Sequence, residues 1–469
     1  SSSETIDASS PPSFFSLHSH RLVICVLLLA ANYFSLANSL GLSTAVVCMV
    51  NSSSSRPLEM RQHQQCVVQH DESSKHTDFA IPGTMDWSAS QRSLLLSARV
   101  YGGCLTVAFL GMKTDRLGSD VVMSGFLLLS SAITLATPLL AYTSYYVLLA
   151  SRFFLGSIDS LQTPAVNCIA TRWFPTGEKT TAASIYTTGL QFAGGFSSLF
   201  AASLCRSSFF GGWPSIFYVF GGASLIFAIF WIAFGTGGPS KNRWLDNNER
   251  AFLEDRIKVK AKGKRTTPLS IILSSKLVHA IMVCNFGSAF TTTIMQAFLP
   301  LFLRELGLPI NMIGWYTLTP FLTEIAGKAL SGPLIDYCVR RKITTLTRAT
   351  KIAQFIGSFG SSIALMLLSL IPSCDNPTIA LYILITFGVV RCGYVSGVYT
   401  SSLSISPANV GTISSLTAIA KMAASLASTT LVNGFTSSEV PYKWTLIFAV
   451  ASIIQSIGGL HFLIFGTSE

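Results

Sequence analysis

Charged side chains interrupt stretches of this sequence that are otherwise apolar enough to cross a membrane. The set comprises Arg99, Arg152, Asp159, Arg391 and Lys421. A charge at the centre of a membrane helix costs about 2.5–3.5 kcal/mol on insertion scales, so such residues usually line a substrate or ion path. Asp159 lies at the middle of its stretch and is too short to reach the membrane surface, which predicts an ion- or proton-binding carboxylate. Arg152 fits either a functional site or a buried pair or snorkelling side chain, and Arg99 either lines an outer vestibule or snorkels.

The C-terminal half of the chain carries two more charges of this kind. Glu324 and Lys328 are spaced i,i+4, which predicts an internal ion pair on one helix face. Two interpretations stay open for Arg391 and Lys421: they bind an anion, or they form ion pairs with Asp159 or Glu324.

Composition places these charges in an integral membrane protein. The 469 residues are 50% hydrophobic and only 11% charged, whereas about a quarter of the residues of a soluble protein are charged. The net charge of +11 could suggest nucleic-acid binding. The basic residues, however, lie in loops between apolar stretches, which is typical of membrane topology and predicts no nucleic-acid partner.

Twelve apolar stretches predict an all-α membrane protein with twelve transmembrane helices in two six-helix pseudo-repeats. They lie near 22–50, 93–112, 119–142, 145–172, 180–205, 215–236, 277–303, 312–336, 348–372, 377–404, 407–435 and 442–466. The predicted units are a disordered cytoplasmic N-terminus at 1–20, a first bundle at 21–236, a cytoplasmic linker at 237–275 and a second bundle at 276–469. The first bundle contains a long polar loop at 51–92, predicted to be external or lumenal.

Loop charges predict the orientation of these helices. Basic residues cluster in the loops around Arg116, around Arg340 and from Lys258 to Arg265, so these loops and both termini are predicted to be cytoplasmic. The sequon at Asn51 predicts N-glycosylation and places its loop on the opposite side.

The two halves resemble each other in sequence. Gly111–Gly118 and Gly332–Asp336 both read G-x-x-x-D and are followed by basic residues, at an offset of about 220 to 230 residues. A similar offset takes Asp159 to Arg391, so each half has one charge, of opposite sign, at mid-membrane. Duplicated halves with a midplane site between them are typical of secondary transporters.

Three charges at the ends of helices in these motifs predict a cytoplasmic gate. Asp115, Arg116 and Asp336 are expected to lock it through contacts with neighbouring helix ends, without binding substrate. The ten cysteines have no metal-ligand spacing. Cys48 reads as a small buried hydrophobe, whereas Cys66, Cys205 and Cys374 lie near external loops where a pairing stays open.

The sequence from Arg21 onward resembles the major facilitator superfamily, and within it the anion:cation symporter family of sialin, the vesicular glutamate transporters and the type I sodium/phosphate transporters. The residues that carry the resemblance are Gly111–Gly118, Arg152 with Gly156, Asp159 and Pro164, Trp173–Pro175 with Glu178, Gly212–Trp213 with Phe217–Tyr218, Asn248–Arg250, and Ile405–Pro407 with Gly411.

The resemblance implies transport of organic anions or phosphate, driven by protons, sodium or membrane potential. It places Asp159 at the family's fourth-helix acidic residue, which is usually Glu and is thought to couple protons. Three positions depart from the pattern of the relatives: the family's first-helix arginine falls on Ser39, and the seventh-helix arginine and second-helix histidine of the glutamate carriers fall on Ser288 and Leu96. These departures argue against glutamate as the substrate.

The sequence therefore predicts a secondary active transporter of small anions that works by alternating access. Arg391, with Lys421 or Arg99, would hold the anion; Asp159 would bind the coupling ion, H⁺ or Na⁺, with no other cofactor. The alternatives are a passive anion channel and a non-transporting sensor or interaction protein. No constellation of catalytic residues predicts an enzyme. We expect a monomer surrounded by lipid, in the plasma membrane or in a lysosomal or vesicular membrane.

Overall fold

The computed structural model describes residues 14–16, 19–49, 85–110, 118–207, 209–257, 269–372, 376–437 and 442–468. These residues form α-helices, short 3₁₀ and π-helical turns, and connecting loops. The long helical stretches are described below as spans 1 to 12, numbered along the chain.

The N-terminal half contains six spans. Span 1 is His20–Met49, span 2 is Ala89–Leu110, span 3 is Ser119–Thr143, span 4 joins Tyr145–Asp159 to Gln162–Trp173, span 5 joins Lys179–Phe192 and Ser198–Arg206 through a π-helical turn at Ala193–Ser197, and span 6 is Pro214–Phe234.

The C-terminal half repeats this arrangement. Span 7 joins Lys276–Ala297 to Leu299–Glu305, span 8 is Ile310–Arg340, span 9 is Leu346–Leu370, span 10 joins Ile379–Arg391 to a π-helical turn at Val395–Tyr399 and to Thr400–Ser404, span 11 is Val410–Ser437, and span 12 is Lys443–Phe465. Between the halves, the central linker forms the helices Asn247–Arg256 and Leu269–Ser274.

Eight of the described helices are long and apolar enough to cross a membrane. The other spans carry the charges or the breaks that a site requires. Span 8 contains Glu324, Lys328 and Asp336, and spans 4 and 5 are interrupted helices. In span 4 the break precedes Pro164, whose ring leaves the Ser160 carbonyl without its helical donor.

The two ends of the bundle are named here by the loops that they carry. The linker face carries the central linker and the turns at 174–178, 341–345 and 405–409. The sequon face carries the end of span 1 at Met49, the start of span 2 and the turns at 209–213 and 306–309.

The linker helix Asn247–Arg256 is anchored to the start of span 1 by Glu249. The buried Glu249 carboxylate accepts hydrogen bonds from Ser19 Oγ (2.9 Å) and His20 N (3.0 Å) and pairs with Arg21 Nε at 2.8 Å. A carboxylate at a helix N-terminus accepts hydrogen bonds from N–H groups that have no intrahelical partner, and it interacts favourably with the helix dipole. Phe14 is also buried against the first half, although composition predicts disorder for residues 1–20.

A disulfide joins Cys48 of span 1 to Cys205 of span 5 at the sequon face. The interpretation of Cys48 as an unpaired buried hydrophobe is therefore wrong. The apolar residues around Cys48 indicated a position inside the membrane, but Cys48 lies in the last turn of span 1, beside the end of span 5. Cys66 and Cys374 lie outside the described residues.

Candidate substrate-binding site

Asp159 and Arg99 form an ion pair in the middle of the N-terminal half. Asp159 Oδ2 lies 2.8 Å from Arg99 Nη2, and Asp159 Oδ1 accepts a hydrogen bond of 2.7 Å from Ser35 Oγ. Arg99 also donates to the Ser35 carbonyl at 3.3 Å. The side chains are 17% and 25% exposed, so solvent reaches both partners of the pair.

Two glycines permit this pairing. A Cβ atom at Gly156 would clash with the Arg99 carbonyl, and one at Gly102 would clash with the Phe153 carbonyl. Spans 2 and 4 therefore approach each other at backbone distance, as small residues allow between membrane helices. This close approach carries Arg99 to the level of Asp159, one turn beyond Gly156.

A second charge cluster lies in the C-terminal half and reaches across to the first half. Glu324 Oε1 lies 3.1 Å from Lys328 Nζ, and Glu324 Oε2 lies 3.9 Å from Arg391 Nε. Gln191 of span 5 bridges the pair, donating to Glu324 at 3.0 Å and accepting from Lys328 at 2.6 Å. The Glu324 carboxylate therefore interacts with two buried cations, and the Gln191 amide of the other half holds it in place by a hydrogen bond.

Arg391 is held by hydroxyl groups of span 7. Its Nη2 donates to the Ser288 carbonyl (3.2 Å), to Ser288 Oγ (3.1 Å) and to Thr292 Oγ1, while its Nη1 is buried without a hydrogen-bond partner. The guanidinium lies 5.9 Å from the ring centre of Tyr394. Hydroxyl partners orient the guanidinium without neutralising it, and its contact with a carboxylate is the 3.9 Å one to Glu324, which also pairs with Lys328.

Lys421 shares the same aromatic ring. Its Nζ lies 5.9 Å from the ring centres of both Tyr394 and Tyr399, and within the described parts of the chain it forms no ion pair. Tyr394 Oη donates to Asn285 Oδ1 at 2.7 Å, which holds its ring in place. Arg391 and Lys421 thus flank one fixed ring, as a two-cation anion site requires.

Asp159 and Arg391 occupy equivalent places in their halves. Each is the last residue of the first segment of its interrupted span, Tyr145–Asp159 in span 4 and Ile379–Arg391 in span 10. The correspondence found from sequence spacing therefore extends to local structure. Each charge lies where a regular helix is interrupted, as in the discontinuous helices that form midplane sites in transporters.

Arg152 lies apart from these clusters. It is 1% exposed, donates from Nη2 to Thr137 Oγ1 at 2.5 Å and lies 5.5 Å from the ring centre of Phe217. No carboxylate pairs with it among the described residues. Arg152 therefore adds an uncompensated charge within the first half, behind the Arg99–Asp159 pair.

Hydrogen bonds join the two halves near the linker face. The buried Asp336 Oδ2 of span 8 accepts from Thr181 N, in the first turn of span 5, at 2.7 Å, and Lys179 Nζ donates to the Leu403 carbonyl at 3.3 Å. Deeper in the membrane, Asn167 Nδ2 donates to Ser414 Oγ at 2.7 Å. The conformation is therefore closed at the linker face.

Two tyrosines extend this closing layer toward the charged clusters. Tyr399 Oη of span 10 donates to Asn167 Oδ1 at 2.6 Å, and Tyr186 Oη of span 5 donates to Tyr399 Oη at 3.3 Å. The hydrophobic core around Trp173 also crosses between the halves, because it includes Val395 of span 10.

Several predicted site residues lie outside the described residues. They are Asp115 and Arg116 of the predicted gate, and Asn51 of the predicted glycosylation sequon. Conversely, the sequence reasoning missed Gln191, Asn167 and Asn285, although each is an amide side chain within an apolar stretch. That pattern is the same signal that identified the charges, because buried amides also require partners.

The sequence profile of the Major Facilitator Superfamily matches residues 22–429. The chain belongs to this superfamily. The facilitator is 29% identical over 417 residues to the uncharacterized transporter slc-17.3 of Caenorhabditis elegans, covering 88% of this chain and 78% of the relative. It is 26% identical over 437 residues to a putative inorganic phosphate cotransporter of Drosophila ananassae, covering 91% of this chain and 89% of the relative.

The facilitator also resembles a solved structure of the same superfamily. The proton:xylose symporter XylE bound to 6-bromo-6-deoxy-D-glucose superposes with a TM-score of 0.70 at 14% identity, over 95% of this chain and 96% of the other. This likeness shows the fold: twelve spans in two six-helix halves. The matched relatives are transporters, in agreement with the prediction that the facilitator is not an enzyme.

Proposed function

We propose that the facilitator is a secondary active transporter of small anions that works by alternating access. The observation that carries the proposal is the charge of the middle layer. Among the described residues this layer holds five cations and two carboxylates; the cations are Arg99, Arg152, Lys328, Arg391 and Lys421, and the carboxylates are Asp159 and Glu324. An excess of buried positive charge of this size favours an anionic substrate, which replaces the missing counter-charge.

The substrate would bind at Arg391 and Lys421. Among the described residues, Arg391 Nη1 has no hydrogen-bond partner, Arg391 contacts a carboxylate only at 3.9 Å, and Lys421 contacts aromatic rings without forming an ion pair. An anion that takes hydrogen bonds from the guanidinium would displace Glu324 toward Lys328. Because Gln191 binds both Glu324 and Lys328 from the other half, the binding of substrate would change a contact between the halves.

The coupling ion would bind at Asp159. Protonation of this carboxylate would release Arg99, whose second partner is only the Ser35 carbonyl. The freed guanidinium would then be available to substrate or would shift span 2 against span 4. A proton fits this site best. Among the described residues, the Asp159 carboxylate contacts the Ser35 hydroxyl and the Arg99 cation, whereas Na⁺ needs several oxygen ligands.

The positions of two guanidinium groups support anion binding in this branch of the superfamily. The resemblance to the anion:cation symporters aligns Ser39 with the family's first-helix arginine and Ser288 with the seventh-helix arginine of its glutamate carriers. Arg391 reaches Ser288 from span 10, and Arg99 reaches Ser35, one turn from Ser39, from span 2. At the levels of Ser39 and of Ser288, the positive charge therefore comes from a neighbouring helix, span 2 and span 10 respectively.

The linker face is proposed to be cytoplasmic, with both termini on that side. Basic loops support this, and so does the Cys48–Cys205 disulfide at the sequon face, because disulfides persist in extracellular or lumenal compartments. The membrane would be the plasma membrane or a lysosomal or vesicular one, and the protein a monomer in lipid.

The proposal is tested by uptake into proteoliposomes of phosphate, urate, sialic acid and glutamate. Each anion is offered with an imposed pH gradient, with a sodium gradient and with membrane potential alone. Uptake that disappears when the pH gradient is dissipated supports proton-coupled transport and names the substrate class. Absence of uptake under every gradient, from protein shown to be folded, contradicts the proposal.

A further inference from the structure

A cavity of about 660 Å³ lies at the linker face between the two halves, well away from the mid-membrane charges. Thr176 and Lys179 of the first half line one side of it. Lys342, Arg348 and Ser404 of the second half line the other side. We name it the linker-face cavity. Any ligand bound there contacts both halves in this closed conformation.

The charge of the linker-face cavity is positive. Lys179, Lys342 and Arg348 line it, no carboxylate does so among the described residues, and none of the three cations forms an ion pair there. Lys179 is buried at 6% exposure, donates to a carbonyl oxygen and is attracted by Asp336 without forming an ion pair with it. Three unpaired cations around one cavity would repel each other without an anion.

The nearest carboxylates of the described chain are already engaged. Asp336 Oδ2 accepts from Thr181 N at 2.7 Å, and Glu178 pairs with Arg21 at 2.6 Å. Asp336 attracts Lys179, but neither carboxylate forms an ion pair with Lys179, Lys342 or Arg348. The cations are therefore available to a ligand from outside the protein.

The cavity wall also supplies neutral donors suited to phosphate oxygens. Span 9 begins there, with Thr345 as the N-cap whose side chain accepts from Arg348 N at 3.3 Å, and with Leu346 in the first turn. The first N–H groups of a helix have no intrahelical acceptor and bind phosphate well. Thr344 and Ser404 also line the cavity, with their hydroxyl groups donating to the carbonyls of Thr345 and Thr400.

We propose that the linker-face cavity binds a phosphate-bearing anion and that this ligand holds the two halves together at the linker face. Phosphate oxygens accept charge-assisted hydrogen bonds from several cations at once, which matches a lining of lysine, arginine, threonine and helix N-terminus. The ligand is either the phosphorylated headgroup of an inositol lipid, since the cavity lies where helices leave the membrane, or a soluble phosphate. By linkage, a ligand that binds the closed conformation alone raises its population.

The test uses the purified full chain and the variant Lys342→Asn/Arg348→Gln. Asn tolerates the left-handed backbone of residue 342, whose φ is 58°, and both replaced side chains are exposed, so the variant is expected to fold. The matched control is Arg341→Gln/Lys351→Gln, which removes two cations from the same face but none from the cavity lining.

Inositol 1,4,5-trisphosphate and inorganic phosphate are titrated in detergent, with thermal unfolding as the readout. The parent chain and the control should be stabilised by at least one of these probes, and the cavity variant should need about tenfold more of it. Nanodiscs with phosphatidylinositol 4,5-bisphosphate or with phosphatidylserine at equal charge then separate the sources. A variant-dependent response to the inositol lipid assigns a headgroup, and one to inorganic phosphate alone assigns a soluble ligand.

Two further measurements keep the test independent of variant folding and of transport. In the parent chain, the stabilising probe should slow acetylation of Lys342 relative to Lys351. It should also raise the disulfide yield of the pair Asn167→Cys/Ser414→Cys, which reports closure. An equal response of variant and control, or no stabilisation by any probe, overturns the proposal whether or not the chain transports anions.

Discussion

The guanidinium of Arg391 in span 10 rests on Ser288 of span 7, donating to its carbonyl at 3.2 Å and to its hydroxyl at 3.1 Å. The resemblance to the anion:cation symporters aligns Ser288 with an arginine of the glutamate carriers in that family. The facilitator thus has a cation at the same level of the membrane, supplied from a different helix. The identity of the helix that carries the charge matters, because span 10 is interrupted directly after Arg391.

We expect Arg391→Gln to lower anion uptake at subsaturating substrate by at least about tenfold, because a hydrogen bond to a charged group contributes about 1.5–3 kcal/mol. The double variant Arg391→Ser/Ser288→Arg, which moves the guanidinium to span 7, should recover part of this loss. Initial uptake rates at several substrate concentrations provide the measurement. Arg341→Gln, an exposed charge at the linker face, is the control and should behave like the parent. Unchanged uptake by Arg391→Gln would remove Arg391 from the site.

Replacement of Asp159 should separate coupling from folding. Asp159→Asn keeps the shape of the side chain and its contact with Ser35, but it removes the carboxylate that would carry the proton. Uptake driven by a pH gradient should be abolished, while exchange of labelled for unlabelled substrate continues. Proton-driven uptake by this variant at the parent rate would show that the coupling group lies elsewhere.

Asp159→Asn also leaves Arg99 without its 2.8 Å partner, and an unpaired buried charge can destabilise a protein by about 3–5 kcal/mol. The pair is partly exposed, so we expect a smaller effect here. The double variant Asp159→Asn/Arg99→Gln removes both charges and serves as the folding control. If it is as stable as the parent and still lacks proton-driven uptake, the loss belongs to coupling.

The sequence predicted the two sets of six helices well because long apolar stretches depend on local composition. It also showed that Asp159 and Arg391 correspond, since the repeat offset is a property of the chain alone. It could not show that Arg99 pairs with Asp159. That contact depends on Gly156 and Gly102 letting two spans approach at backbone distance, and the same glycines would be tolerated in any membrane helix.

The bridge through Gln191 was equally inaccessible from sequence. An i,i+4 spacing predicts that Glu324 and Lys328 meet, but the pair is completed by an amide from the other half. Contacts across the interface between halves depend on which conformation the carrier occupies. Spacing within one helix contains no information about that choice.

Asp336 should control closure of the linker face. Its carboxylate accepts from Thr181 N near the N-terminus of span 5, where negative charge is stabilised by about 0.3–1 kcal/mol, and more in buried geometry. Asp336→Asn retains an acceptor oxygen but loses the charge, so the closed conformation should become less populated. We expect a lower disulfide yield for the reporter pair Asn167→Cys/Ser414→Cys, read by gel mobility.

Asp120→Asn is the matched control for this experiment. Asp120 also lies at the linker end of a span, but its ion pair with Lys241, at 2.8 Å, joins span 3 to the central linker and does not involve the second half. The control should leave the yield of the reporter disulfide unchanged. Equal yields for the Asp336 variant and the parent would mean that the Thr181 contact follows closure without stabilising it.

The disulfide between Cys48 and Cys205 provides a test of both stability and orientation. It joins positions 157 residues apart in sequence, and loss of such a cross-link costs about 2–5 kcal/mol in a folded domain. Cys48→Ser/Cys205→Ser should lower the unfolding temperature of the purified protein, and Cys338→Ser, which removes an unpaired cysteine, should not. In right-side-out vesicles a membrane-impermeant reductant should lower the unfolding temperature of the parent toward that of the double variant, while in inside-out vesicles it should have no effect. If the reductant acted only in inside-out vesicles, the sequon face would lie on the cytoplasmic side and the proposed topology would be reversed. The cytoplasm is also the compartment in which thiols are kept reduced.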